Sequence, residues 1–215
     1  MKKKVLLLIL AVSAVAMLFS SCRKDPLNNL TAEESRIYIT KNDSTINFNN
    51  FKTYSIVDSV SVIANNKLEG KMASDYDAKI IKAIKTSMSE RGFAFIDIKS
   101  KPDLGINVSR ITNTFTGIIS YPDYWDYYGS YYDPYYWGFG GYGYYPPSYS
   151  FGVYKIQEGG LSVEMLNLKD ATGNNNKIKT VWTALARGTG VFNRANADSE
   201  VMAFFIQSPY LKTSN

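Results

Sequence analysis

The sequence predicts an α+β sandwich: an antiparallel sheet of about five to six strands, two helices packed on one face, and a long Tyr/Gly-rich loop insert. Three observations carry this. One segment has a complete helical signature, with start, apolar stripe and stop. Several short alternating or apolar segments flank it. Their order along the chain reads β-β-α-β-β-(insert)-β-β-α.

Arg36-Ile-Tyr-Ile-Thr40 is the first strand, followed by the polar turn Lys41-Asn-Asp-Ser44. Phe51-Lys-Thr-Tyr-Ser-Ile-Val57 alternates as a half-buried strand does. Met72–Arg91 is the clearest helix. Ser74 caps it, Asp77 completes an acidic capping box, and Gly92 stops it in the left-handed conformation. Tyr76, Ile80, Ile84 and Met88, widened by Ile81, make one apolar stripe for the sheet. Phe93–Ile98 and Leu104–Ile111 follow as strands, separated by Lys101-Pro-Asp103. Leu161–Leu168 and Ile178–Leu185 form a hairpin across the turn-rich Asp170–Asn176. A last helix covers Ala197–Ile206, with Val201, Met202, Phe205 and Ile206 inward, and Pro209 stops it.

The N-terminus is a targeting segment. Lys2, Lys3 and Lys4 precede an apolar run from Val5 to Phe19, and Phe19-Ser-Ser-Cys22 reads as a lipobox. The run is too short for an ordinary spanning helix. Residues 1–21 are therefore expected to be cleaved, leaving Cys22 as the lipid anchor. Residues 22–35 form a flexible tether, about 20 Å in root-mean-square span, and 36–211 a single domain. The expected place is the outer membrane, facing the periplasm. Losing the three lysines takes the formal charge from +5 to +2, which argues against nucleic acid as a partner.

Chemistry is scarce. There is no histidine, and Cys22 is the only cysteine, so the commonest general base and any disulfide are excluded. Asp123, Asp126, Asp133, Glu158 and Glu164 are acids by composition only, with no spacing that selects a catalytic pair. No enzyme activity, cofactor or metal is expected. Ser44 and Ser59, in Asp43-Ser-Thr and Asp58-Ser-Val, resemble weak O-glycosylation signals.

The insert, residues 121–150, holds twelve of the seventeen tyrosines and two of the three tryptophans. Three readings stay open. The insert folds back and covers one sheet face or edge with its rings, or stays partly disordered; or it meets an envelope protein or the bilayer interface; or it binds a glycan by stacking. Trp125, Tyr131, Tyr135 and Trp137 are the contact candidates. Gly138-Phe-Gly-Gly-Tyr-Gly143 matches the dinucleotide fingerprint literally, but Pro146-Pro147 forbids the helix that chemistry needs.

Several blocks, taken in order, resemble the bacterial lipoprotein family called domain of unknown function 4136. They are Phe51–Tyr54, Ile80–Gly92 leading into Phe93, Lys101–Leu104, the Tyr/Gly-rich insert, Gly160–Met165, Val181–Gly188 and Ile206–Leu211. The resemblance implies a lipid-anchored envelope protein with no established activity and no catalytic residues to carry over. The chain departs from the family in reading Leu166-Asn-Leu168, where an Asp is frequent.

Overall fold

The computed structural model of the chain describes residues 30–31, 33–64, 67–112, 135–145, 159–173, 175 and 177–213. Among these residues there are nine strands: β1 (Ile37–Asn42), β2 (Thr53–Ile56), β3 (Val60–Ala64), β4 (Lys67–Met72), β5 (Ala94–Phe95), β6 (Leu104–Thr112), β7 (Gly143–Tyr145), β8 (Gly160–Asn167) and β9 (Lys177–Arg187). Two helices accompany them, α1 (Asp75–Glu90) and α2 (Ala197–Ile206). The strands form one sheet in the order β1-β9-β8-β6-β2-β5. Farther along, β3 also pairs with β6 and carries β4 outside it, and β7 pairs with β9.

The α+β class and the two helices on one face hold. The pairing is mixed, however, and not wholly antiparallel. β2 and β3 run parallel to β6, β5 parallel to β2, and β7 parallel to β9. For β2, β3 and β5 the cause is the α1 crossover: a strand that leaves through a helix and returns beside itself arrives parallel. β7 is parallel to β9 because the antiparallel β8 lies between them in the chain. The β3–β4 hairpin was not anticipated. Its register shifts between Val62 and Ile63, and Gly70 there, at φ +146°, holds a conformation other residues avoid. The expected strand over Phe93–Ile98 shrinks to β5, because the Asp97 side chain accepts from Lys99 N at 2.8 Å and turns the chain into a 3-10 turn at Ile98–Ser100.

α1 forms as its sequence dictates. Ser74 Oγ accepts from Asp77 N, the Asp77 carboxylate accepts from Ser74 N at 2.9 Å, and Gly92 sits at φ +89°. Tyr76, Ile80, Ile81, Ile84 and Met88 are all buried. They meet the side chains of Tyr54, Leu104, Ile106 and Val108, each worth about 1.5–3 kcal/mol when fully buried.

The range of α2 is as expected but its inward face is not. Met202 is 57 % exposed and Ile206 67 %, whereas Ala197, Glu200, Val201, Phe204 and Phe205 are buried. Phe204 meets Tyr38 edge-on, and Phe205 lies against Trp182. These partners on β1 and β9 fix the rotation of the helix.

Candidate functional site

Register separates the two faces of the sheet. Ile106, Met165 and Trp182 stand in one row, and Arg110, Leu161, Ala186 and Tyr38 in another, all toward the helices. The alternate residues face away. There Lys41, Thr183, Glu164 and Asn107 form one row across β1, β9, β8 and β6, with Ser162 and Ser109 beside it.

The insert comes down on this second face. Trp137 is buried, and its Nε1–H donates to Asn107 Oδ1 at 3.2 Å. The indole lies directly on Gly105: a Cβ there would stand 3.0 Å from Trp137 Cε3 and Cζ3. Tyr136 meets Trp137 edge-on at 5.0 Å, and Lys71 Nζ lies 5.1 Å from the Tyr136 ring centroid. Farther along, β7 adds to β9 with Gly143 beside Lys177. Residues 135–145 thus run from above β6 to the edge of β9. For this part the insert covers the sheet. The fingerprint-like Gly138–Gly143 leads into strand β7 and not into a helix.

Of the predicted contact residues, Tyr135 is 77 % exposed, its ring stacked over Gly140. Trp137 is in the core, unavailable for stacking on a sugar as it sits. Cys22, Trp125 and Tyr131 lie outside the described residues, as do Asp123, Asp126, Asp133 and Glu158. Ser44 is exposed in a turn, as expected; Ser59 is half-buried and donates to Asp58 Oδ1 at 3.0 Å.

Two buried acids stand out: Glu164, which the sequence offers by composition only, and Glu200, which it does not single out. Burial holds the Glu164 carboxyl well above the ordinary range. The Ser162 hydroxyl donates to its Oε1 at 3.1 Å, while Thr183 Oγ1 is buried with no partner among the described residues. This row offers a carboxyl, an amide, an ammonium and hydroxyls, which is hydrogen-bonding capacity. Among the described residues no group of three or more acids or thiols is placed to hold a metal.

Glu200 is wholly buried between the helices and β1, where the Tyr76 hydroxyl donates to Oε2 at 2.6 Å. Nearby, Arg110 Nη1 and Asp77 Oδ2 form an ion pair at 3.3 Å, and the Arg110 guanidinium covers the Phe192 ring. Burial pushes the Glu200 carboxyl up to about 7, against the Tyr76 hydrogen bond and the Arg36 charge, which pull it down. Once Tyr38 and Trp182 fix the rotation of α2, Glu200 falls on its inward face with Ala197, Val201 and Phe204.

A pH dependence follows. The unfolded chain releases this proton near the ordinary value of 4.5, the folded one only near 7. The stabilisation is complete below 4.5 and is lost as pH rises toward 7, a span of roughly 3 kcal/mol at about 1.4 kcal/mol per pH unit. Glu200→Gln is expected to flatten the decline between pH 5 and 7.5, read by urea unfolding at several pH values. An unchanged slope would rule Glu200 out as its source.

Comparison with known proteins agrees with this frame. The family model described as domain of unknown function 4136 matches residues 39–210. A crystal structure of a protein of that family from Bacteroides thetaiotaomicron is 31% identical, with a TM-score of 0.67, covering 84% of this chain and 99% of its own. A PDZ domain protein from Parabacteroides distasonis is 13% identical, with a TM-score of 0.44, covering 83% and 37%. The PelC dodecamer from Paraburkholderia phytofirmans gives 10% identity and a TM-score of 0.39, covering 83% and 99%. No curated protein matches.

Proposed function

The chain belongs to the domain of unknown function 4136 family, and from that premise we propose that it is a lipid-anchored outer-membrane lipoprotein, facing the periplasm, that serves as a non-enzymatic binding or assembly module. The observation that carries the reading is Cys22, set behind Ser20-Ser21 and the apolar run Val5–Phe19. No helix among the described residues is long and apolar enough to cross a membrane.

A binding role is favoured over catalysis by how the polar side chains are used. Asp77, Arg91, Asp103 and Arg110 each bond across elements. Tyr135, exposed at the start of the described part of the insert, is the contact residue we favour. The glycan alternative loses Trp137, whose ring faces Gly105.

Two measurements test the proposal on the full chain in a Gram-negative host. Mass spectrometry of the N-terminal peptide is expected to show cleavage before Cys22 and added acyl mass, and Cys22→Ser to leave the outer-membrane fraction. An unmodified thiol at Cys22 would overturn the anchor. A photoreactive residue replacing Tyr135 is expected to give a discrete protein adduct, and Trp137 replaced likewise only intramolecular ones. Self-adducts alone from position 135 would overturn the binding role at this surface.

A further inference from the structure

Two segments set an aspartate directly before a serine in a pattern that resembles an O-glycosylation signal, Asp43-Ser44-Thr45 and Asp58-Ser59-Val60, and the structure treats them differently. We infer that Ser44 is an O-glycosylated residue, presented by a turn that Asp43 builds, and that Ser59 is not modified.

The turn follows β1 directly. Asp43 N donates to Val181 O at 3.0 Å, which ties its start to β9, and Ile46 N donates to Asp43 O at 3.2 Å, which closes it. The Asp43 carboxylate works inside the turn: Oδ1 accepts from Thr45 N at 2.9 Å and from Thr45 Oγ1 at 2.6 Å. Phe48, just beyond, is buried and pins the far end to the core. Ser44 and Thr45 are the two central residues, and both are exposed. The Thr45 hydroxyl is spent on Asp43, whereas that of Ser44 makes no hydrogen bond among the described residues. Ser44 thus combines a fixed backbone, which a transferase can grip, with a free hydroxyl, which it can reach. Ser59 has neither advantage. It is half-buried, and its hydroxyl donates to Asp58 Oδ1 at 3.0 Å. Val60 beside it is wholly buried at the start of β3, so drawing Ser59 outward would break that strand.

The step is a group transfer with no oxidation or reduction. The Ser44 oxygen attacks the anomeric carbon of a sugar carried as a diphosphate ester. The new C–O bond forms as the bond from that carbon to the phosphate oxygen breaks. The diphosphate leaves, and the hydroxyl proton passes to a base of the transferase. A serine hydroxyl is a weak nucleophile at its own pKa, so base and activated sugar come from the transferase, and this chain supplies the acceptor alone. A glycan is bulky and solubilising and belongs on the surface. An exposed turn at the end of β1, the terminal strand of the sheet order, gives it that place.

The inference rests on the export that the proposed function entails, and one experiment keeps the two apart. The full chain is purified from the bacterium that encodes it, digested with trypsin, and read by mass spectrometry with electron-transfer fragmentation. The peptide Asn42–Lys52 has Ser44 and Thr45 as its only hydroxyl side chains, and Thr53–Lys67 contains Ser59. Sugar mass is expected on Asn42–Lys52, localised to Ser44, with Thr53–Lys67 bare. Ser44→Ala is expected to abolish it, and Asp43→Ala to lower the sugar-bearing fraction several-fold, both with an unchanged circular dichroism spectrum. A bare Asn42–Lys52, sugar on Thr45 in its place, or equal sugar on Thr53–Lys67 would overturn the inference. An Asp43→Ala chain modified as fully as the parent would overturn the part given to Asp43. The N-terminal peptide of the same digest separates the premises. Acyl mass on Cys22 beside a bare Asn42–Lys52 removes the glycosylation site and leaves the anchor standing. An unmodified Cys22 beside sugar on Ser44 removes the anchor alone.

Discussion

Arg91→Ala is expected to lower the unfolding free energy by about 3 kcal/mol, with little change in the cooperativity of the transition. The reason lies in the end of α2. A helix leaves its last carbonyls without partners of its own. Here one guanidinium donates to three of the carbonyls at and beyond that end: Nη2 to Phe205 O, and Nη1 to Ser208 O at 3.1 Å and Leu211 O at 3.2 Å. It also lies over the Phe205 ring, 5.2 Å from its centroid, while Arg91 O accepts from Thr213 N. Hydrogen bonds from a charged donor are the stronger kind, and their loss leaves half-buried acceptors unpaired. Arg91→Lys should recover only part of the stability, since one ammonium does not span three carbonyls as the planar fork does. Urea denaturation followed by circular dichroism reads both variants. A loss below about 0.5 kcal/mol for Arg91→Ala would mean that water replaces the clasp at no cost.

That clasp also explains why scattered sequence blocks suffice to reveal the family. Arg91-Gly92-Phe93 closes on Ile206–Leu211. Lys101-Pro-Asp-Leu104 closes on Phe51-Lys-Thr-Tyr54: the Asp103 carboxylate accepts from Lys52 N at 2.7 Å and Thr53 N at 3.1 Å, and Thr53 Oγ1 accepts from Asp103 N. Trp182, in the Val181–Gly188 block, donates from Nε1 to Ser208 Oγ at 2.9 Å. Blocks remote in sequence are joints between elements, each needing particular side chains on both sides. They mark the fold.

What could be read in advance was local. α1 carries its cap, stripe and stop within its own residues, and the last two long strands carry their own turn. The parallel pairings of β2, β3 and β5 were not visible in any one segment, because they depend on where α1 returns the chain. The inward face of α2 was obscured because Val201, Met202, Phe204, Phe205 and Ile206 are apolar nearly all round, so only Tyr38 and Trp182 settle its rotation. The burial of Trp137 was hidden for a related reason: composition counts rings but does not say which way they face. One signal existed. Gly105 lies inside strand β6, and a glycine inside a strand marks a close approach by something else.

That glycine makes the second large effect testable. Trp137→Ala is expected to cost about 3–5 kcal/mol, the range for removing a large buried aromatic side chain. Trp137→Phe, which retains most of the ring area but loses the bond to Asn107, is expected to cost about 1 kcal/mol. Gly105→Ala drives a methyl against Trp137 and Leu168 Cδ1 at 3.0 Å and is expected to cost about 1–3 kcal/mol by itself. In the Trp137→Ala background the same methyl meets open space on the indole side. Its cost should then fall, giving a coupling of at least about 1 kcal/mol in the double-mutant cycle. Such coupling requires residues 135–145 to unfold with the sheet as one unit. Additive losses would mean that the indole and the strand open independently. If Trp137→Ala left the global transition unmoved and only hastened proteolysis within the insert, the covering segment would be a separately opening layer, and the face bearing Glu164 would be reachable from solvent without unfolding the domain.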